Sequence, residues 1–166
     1  MIRPAIPEDT KTIARLIHAL SEYEKLPHEV CLDEARLREH LVGPRPFAEV
    51  RLAEEHGEVV GFALFFHNYS TFVGRPGIYL EDLFVEPAHR GRGHGKALLV
   101  ELARLAVERG CGRVEWAVLN WNESAIQFYR SLGAVPMDMW QTYRLSGEAL
   151  VGLSKKGSRG SEVTRQ

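Results

Sequence analysis

Leu83-Phe84-Val85-Glu86-Pro87-Ala88-His89-Arg90-Gly91-Arg92-Gly93-His94-Gly95-Lys96-Ala97 closes an apolar run, turns on alternate glycines and opens a helix. Pro87 ends the preceding strand, and the apolar positions Ala97, Leu98, Val100, Leu102, Leu105 and Ala106 mark a long helix from about Gly95 to Arg109. A strand that runs through a glycine turn into a helix leaves backbone N–H groups pointing outward at the helix start. Those groups suit a phosphate or diphosphate. Gly91, Gly93 and Gly95 let the backbone approach such a ligand, and Arg90 and Arg92 add positive charge. The dinucleotide pattern GxGxxG fails because Lys96 stands where its third glycine belongs. The P-loop pattern fails twice, at Arg90 and at Ala97. What remains is Arg-x-x-Gly-x-Gly.

On the N-terminal side of this turn, Met1 to Ile6 reads as a short strand, and Asp9 or Thr10 is placed to cap a helix carrying Ile13, Leu16, Ile17 and Leu20. A second helix is expected over Asp33 to His40, ended by the GPRP stretch at Gly43 to Pro46. Val50 to Glu54 and Val59 to Phe66 read as strands around a His56-Gly57 turn. Ser70 to Gly77 reads as a loop, and Ile78 to Val85 as the most buried strand, interrupted by Glu81 and Asp82. Beyond the turn, Arg113 to Leu119 reads as a strand, Asn122 to Leu132 as a helix and Gln141 to Leu145 as a last strand. Gly152 to Gln166 is rich in Ser, Gly, Lys and Arg and is expected to be a mobile tail. The expected architecture is a mixed α/β fold in one domain, residues 1–151, with a central, mostly antiparallel sheet flanked by helices.

Composition narrows the function. The 166 residues suit one domain, and a formal net charge of −1 gives no bias toward nucleic acid or anionic membrane. Cys31 and Cys111 lack ligand spacing and no HExxH occurs, so no metal site is expected. No apolar run approaches the ~20 residues of a membrane span. No signal peptide is legible at the start, so a cytoplasmic protein is the expectation.

A second segment stands downstream: Asn120-Trp121-Asn122-Glu123-Ser124-Ala125-Ile126-Gln127-Phe128-Tyr129-Arg130-Ser131-Leu132-Gly133-Ala134. Asn122 is a good helix cap. The two segments together resemble the GNAT acetyltransferases, whose ligand is acetyl-CoA. Tyr79-Leu80-Glu81-Asp82-Leu83-Phe84-Val85, Trp121-Asn122-Glu123, Phe128-Tyr129, Ile2-Arg3-Pro4-Ala5 and Tyr23-Glu24 extend the likeness to the diamine branch, the spermidine/spermine and thialysine N-acetyltransferases.

That resemblance implies residue roles. Leu83, Phe84 and Val85 would offer backbone groups to the pantetheine arm. Arg90, Gly91, Arg92, Gly93, His94, Gly95 and Lys96 would hold the diphosphate, and Asn122 would touch the cofactor arm. Tyr129 occupies the position of the tyrosine aimed at the CoA sulfur, where a phenol of ordinary pKa ~10 can donate to a departing thiolate. Glu81 would act as base through water. Tyr23, Glu24, Glu81, Asp82 and Phe72 would line the amine pocket. A homodimer is implied as well.

Glu81 also draws an argument from chemistry alone. A carboxylate inside an apolar strand is costly without a partner or a task, and an ammonium of ordinary pKa ~10.4 must lose a proton before it attacks. For Asp82 alone, pairing with an arginine is the simpler reading. Polyamine-specific members carry an acidic residue and a tryptophan in the loop before the central strand. Tyr69-Ser70-Thr71-Phe72-Val73-Gly74-Arg75 has neither, which implies a lysine-like or short diamine substrate rather than spermine. Two alternatives stay open: the same fold acting on a protein N-terminus, a protein lysine or an antibiotic amine, and an acyl-CoA-binding module without turnover.

Overall fold

The computed structural model describes residues 1–157. The chain divides into two compact units, Met1–Leu119 and Asn120–Gln166. The first holds β1 (Ile2–Pro4), α1 (Thr10–Tyr23), α2 (Glu34–Val42), β2 (Glu49–Glu55), β3 (Glu58–Ser70), β4 (Arg75–Val85), α3 (His94–Glu108) and β5 (Val114–Trp116). The second holds α4 (Glu123–Ser131) and α5 (Gly147–Gly157). No helix among the described residues is long and apolar enough to cross a membrane.

The sheet runs in the order β1-β2-β3-β4-β5. The first three pairings are antiparallel and β4 pairs β5 in parallel, so the mostly antiparallel mixed sheet expected from the hairpin pattern is present. Ile13, Leu16 and Leu20 recur on one face of α1 and pack on Val50, Leu52, Phe62 and Phe84. Leu16 is fully buried, and truncation to alanine there costs about 2–5 kcal/mol. On the opposite face, α3 packs against β2, β3 and β4 with Leu98, Leu102 and Leu105 buried.

β4 does not alternate evenly. Leu64 faces Asp82 and the next residue, Phe65, faces Leu80, so Glu81 is an extra residue without a partner in β3. This β-bulge reverses the strand's facing halfway along. Below it Phe84 and Asp82 share the α1 side with Phe62 and Leu64. Above it Leu80 and Ile78 pair Phe65 and His67 on the α3 side.

Several local expectations need correction. Asp9 precedes α1, but its side chain makes no cap. Its carboxylate instead takes Arg3 in two bonds, 2.7 and 3.0 Å, and the Ile6 N–H at 2.8 Å. Arg3 also donates to Glu54 at 2.7 Å, which ties β1 to β2 and to the entry of α1. A fork-shaped guanidinium serves two carboxylates better than a lone amide cap would. The loop expected from Ser70 to Gly77 narrows to a short turn, since β4 begins at Arg75. β5 is three residues long, shorter than the strand expected over 113–119. Gln141 to Leu145 forms no strand, and Gly152 to Gly157 continues α5 instead of beginning a tail. The rest of the expected tail lies outside the described residues.

Candidate active site

The glycine turn is built as its residues require. A short 3-10 turn, Pro87–His89, follows β4. Gly91 and Gly93 then take left-handed backbones, φ 75° and 89°, a region costly for any residue with a Cβ. Space is open where a Cβ would stand at either position. Gly93 precedes α3 with no side-chain cap. The first-turn amides of a 15-residue helix therefore start beside an open, Cβ-free surface, which fits an anionic group. His94 and Gly95 are half-buried there, and Arg92 and Lys96 are exposed.

A carboxylate missed by sequence reasoning organises this turn. Glu55, the last residue of β2, accepts from His89 Nδ1 at 2.8 Å and from Arg92 at 2.9 Å, and His94 Nε2 stands 3.5 Å from its other oxygen. The His89 hydrogen bond, reinforced by the Arg92 and His94 charges, holds the Glu55 carboxyl well below the usual carboxylate range. No local signal in the sequence points to Glu55, because its partners lie 34 or more residues away.

The Arg90 side chain packs within the fold. Its Nε donates to the Val85 carbonyl at 2.9 Å, and its guanidinium lies over the Tyr23 ring, 4.2 Å from the centroid, with the Phe84 ring at 5.5 Å. It joins the glycine turn to the end of α1 rather than reaching toward an anion. Tyr23 in turn sits 6.5 Å from Phe84, ring centre to ring centre.

Next to Tyr23 an acidic group gathers. Asp82 is half-buried, and its carboxyl is pushed up to about 6, first by burial and then by the negative charges of Glu81 and Glu24. Burial raises Glu24 as well. The expectation that Asp82 pairs with an arginine is corrected: the charges acting on it are negative. Glu81 is exposed, standing out at the bulge, and Asp82 bears the desolvation. A positive charge close by would relieve this cluster.

The first unit thus brings together Tyr23, Glu24, Glu81, Asp82, Leu83, Phe84, Val85 and Arg90. It does not bring Phe72 to them: Phe72 sits at the β3–β4 turn, 91% exposed, beyond the Ser70–Arg75 pair at the far end of the ribbon. In the second unit Asn122 caps α4 as its sequence suggested, its side chain accepting from the Ala125 N–H at 3.3 Å. Tyr129 is half-buried on that helix with the Phe128 ring 5.5 Å away. Gly133, at φ 86°, ends the helix.

Comparison with known proteins agrees with these features. The profile of the acetyltransferase (GNAT) family matches residues 13–134. The chain is 40% identical to a thialysine N-epsilon-acetyltransferase of Bos taurus, over 94% of this chain and 98% of the relative. It is 33% identical to an L-ornithine N5-acetyltransferase of Arabidopsis thaliana, over 93% and 87% respectively. Among solved structures, an integron cassette protein from the mobile metagenome of V. cholerae superposes with a TM-score of 0.78 at 27% identity, covering 93% of this chain and 97% of that one.

Proposed function

The chain belongs to the GNAT acetyltransferase family, and from that premise we propose that it acetylates a primary amine of a small molecule, lysine-like or a short diamine, with acetyl-CoA as donor. One observation carries the substrate side of this reading: three carboxylates, Glu24, Glu81 and Asp82, meet where Asp82 is raised to about 6 by burial and like charge. A site that strains its own acids in this way gains most from a cationic ligand. The relatives named for thialysine and ornithine act, by those names, on amines carried by amino acids.

The chemistry follows from the residues. The glycine turn and the start of α3 hold the diphosphate of acetyl-CoA. The amine arrives as an ammonium against Asp82 and Glu24, and Glu81, out at the bulge, takes its proton through a water molecule. The free amine attacks the thioester carbonyl and forms the C–N bond. The tetrahedral adduct then loses a proton from its nitrogen to water and breaks its C–S bond, and the departing thiolate takes a proton in the step for which the resemblance implies the Tyr129 hydroxyl, the phenolate being reprotonated from water. Acid–base help of this kind contributes roughly 10²–10⁴-fold to rate. The same reading includes a homodimer, as the resemblance implies, and a cytoplasmic location.

The test measures kcat/KM with acetyl-CoA across thialysine, lysine, ornithine, putrescine, spermidine and spermine. Preference for a lysine-like or short diamine acceptor is expected. A clear preference for spermine removes the substrate assignment, and absence of CoA binding removes the whole reading.

A further inference from the structure

We infer that Glu55 is a positioning residue for acetyl-CoA, holding the glycine turn in its binding shape through His89, Arg92 and His94. The inference rests on the acetyl-CoA reading above. The turn it serves is intrinsically loose, with glycines at left-handed φ on both sides of Arg92 and no side chain capping α3. The residues that grip Glu55 are spaced through that turn. His89 lies just before Gly91, Arg92 lies between the two glycines, and His94 is the first residue of the helix. The hydrogen bonds of 2.8 and 2.9 Å fasten the start and the middle of the turn to the end of β2, and His94 Nε2 stands 3.5 Å from the same carboxylate at the helix start. Glu55 itself pairs Glu58 of β3 at the end of the β2–β3 hairpin, so the anchor belongs to the sheet. The Glu55 side chain is only 19% exposed, and that of His94 13%.

The geometry separates this role from a merely electrostatic one. A carboxylate beside a diphosphate site repels the ligand, so a residue acting by charge alone would weaken CoA binding, and its removal would tighten it. A residue acting by position does the opposite, because the loosened turn must be ordered again when the ligand binds.

Glu55→Ala and Glu55→Gln are compared with the native chain by calorimetric titration with CoA and by steady-state kinetics. Glu55→Ala is expected to weaken CoA binding and raise KM for acetyl-CoA about tenfold, the order of losing charge-assisted contacts that orient a site. kcat at saturating acetyl-CoA and KM for the amine stay within about twofold. Glu55→Gln keeps the shape and one acceptor oxygen and falls between. If Glu55→Ala fails to fold, Glu55→Gln decides, with at least about threefold weaker CoA binding expected. CoA affinity unchanged or improved in the folded variants overturns the inference, as does a parallel loss of kcat with a lowered unfolding temperature, the mark of a purely structural role. A native chain that binds no CoA overturns the acetyl-CoA reading and this inference together. Native binding with unaltered variants overturns the inference alone.

Discussion

The Arg90 guanidinium covers the Tyr23 ring at 4.2 Å while its Nε holds the Val85 carbonyl at 2.9 Å. One side chain therefore spans the end of β4 and the aromatic wall beside the acidic cluster.

Arg90→Ala is expected to raise KM for the amine about fivefold, the value of a cation–π contact of about 1 kcal/mol. A rise in KM for acetyl-CoA alone would instead assign the arginine to the phosphates. Steady-state kinetics with each substrate varied in turn separates the two.

Asp82→Asn is expected to trade activity for stability. The folded protein holds the Asp82 proton to about pH 6, against an ordinary value of 3.8. Because the folded value is the higher one, this group favours folding most at low pH. That contribution is lost as pH rises toward and through 6. At pH 7 the asparagine variant should be more stable by about 1–2 kcal/mol, and the difference should shrink toward pH 5. Its kcat/KM for the amine should fall, and the acid limb near pH 6 in the native profile should disappear. Thermal unfolding and pH–rate profiles on both proteins check this.

Glu81→Gln and Tyr129→Phe are each expected to lower kcat, within roughly 10²–10⁴-fold. Neither change alters side-chain volume appreciably, so unfolding temperatures should hold. If kcat survives both substitutions, the acid and base roles are misassigned.

Gly93→Ala places a Cβ where the backbone has φ 89°. Open space surrounds that point, so the cost is conformational and of about 1 kcal/mol. CoA affinity should fall further than stability does, because the methyl group occupies the approach to the helix start. Calorimetry for binding and a thermal melt for stability give the comparison.

The strand, glycine turn and helix from Leu83 onward were legible because local residues dictate them: a proline stop, left-handed glycines and an apolar stripe. The β2–β3 hairpin was legible for the same reason, with His56 and Gly57 both at positive φ. The bulge at Glu81 was not, since Glu81 and Asp82 are both acidic and the pattern does not say which one faces the core. That ambiguity also misdirected the buried-charge argument. Glu55 stayed hidden because its partners come from another part of the chain. Gln141 to Leu145 has strand-like alternation, yet its aromatic and leucine, Tyr143 and Leu145, are exposed, and alternation without a covered face does not make a strand. The capping of α4 by Asn122 was readable, since that interaction spans three residues.

The unpaired residue in β4 stands outside the pairing frame of the sheet. Substituting Glu81 alters one carboxylate and leaves every pair in place. Deleting it would join Leu80 directly to Asp82 and restore strict alternation, with Leu80 and Ile78 still on the α3 side and Asp82 still on the α1 side. A gap of one codon at this point would therefore remove a carboxylate and the bend that carries it while sparing the pairing on either side.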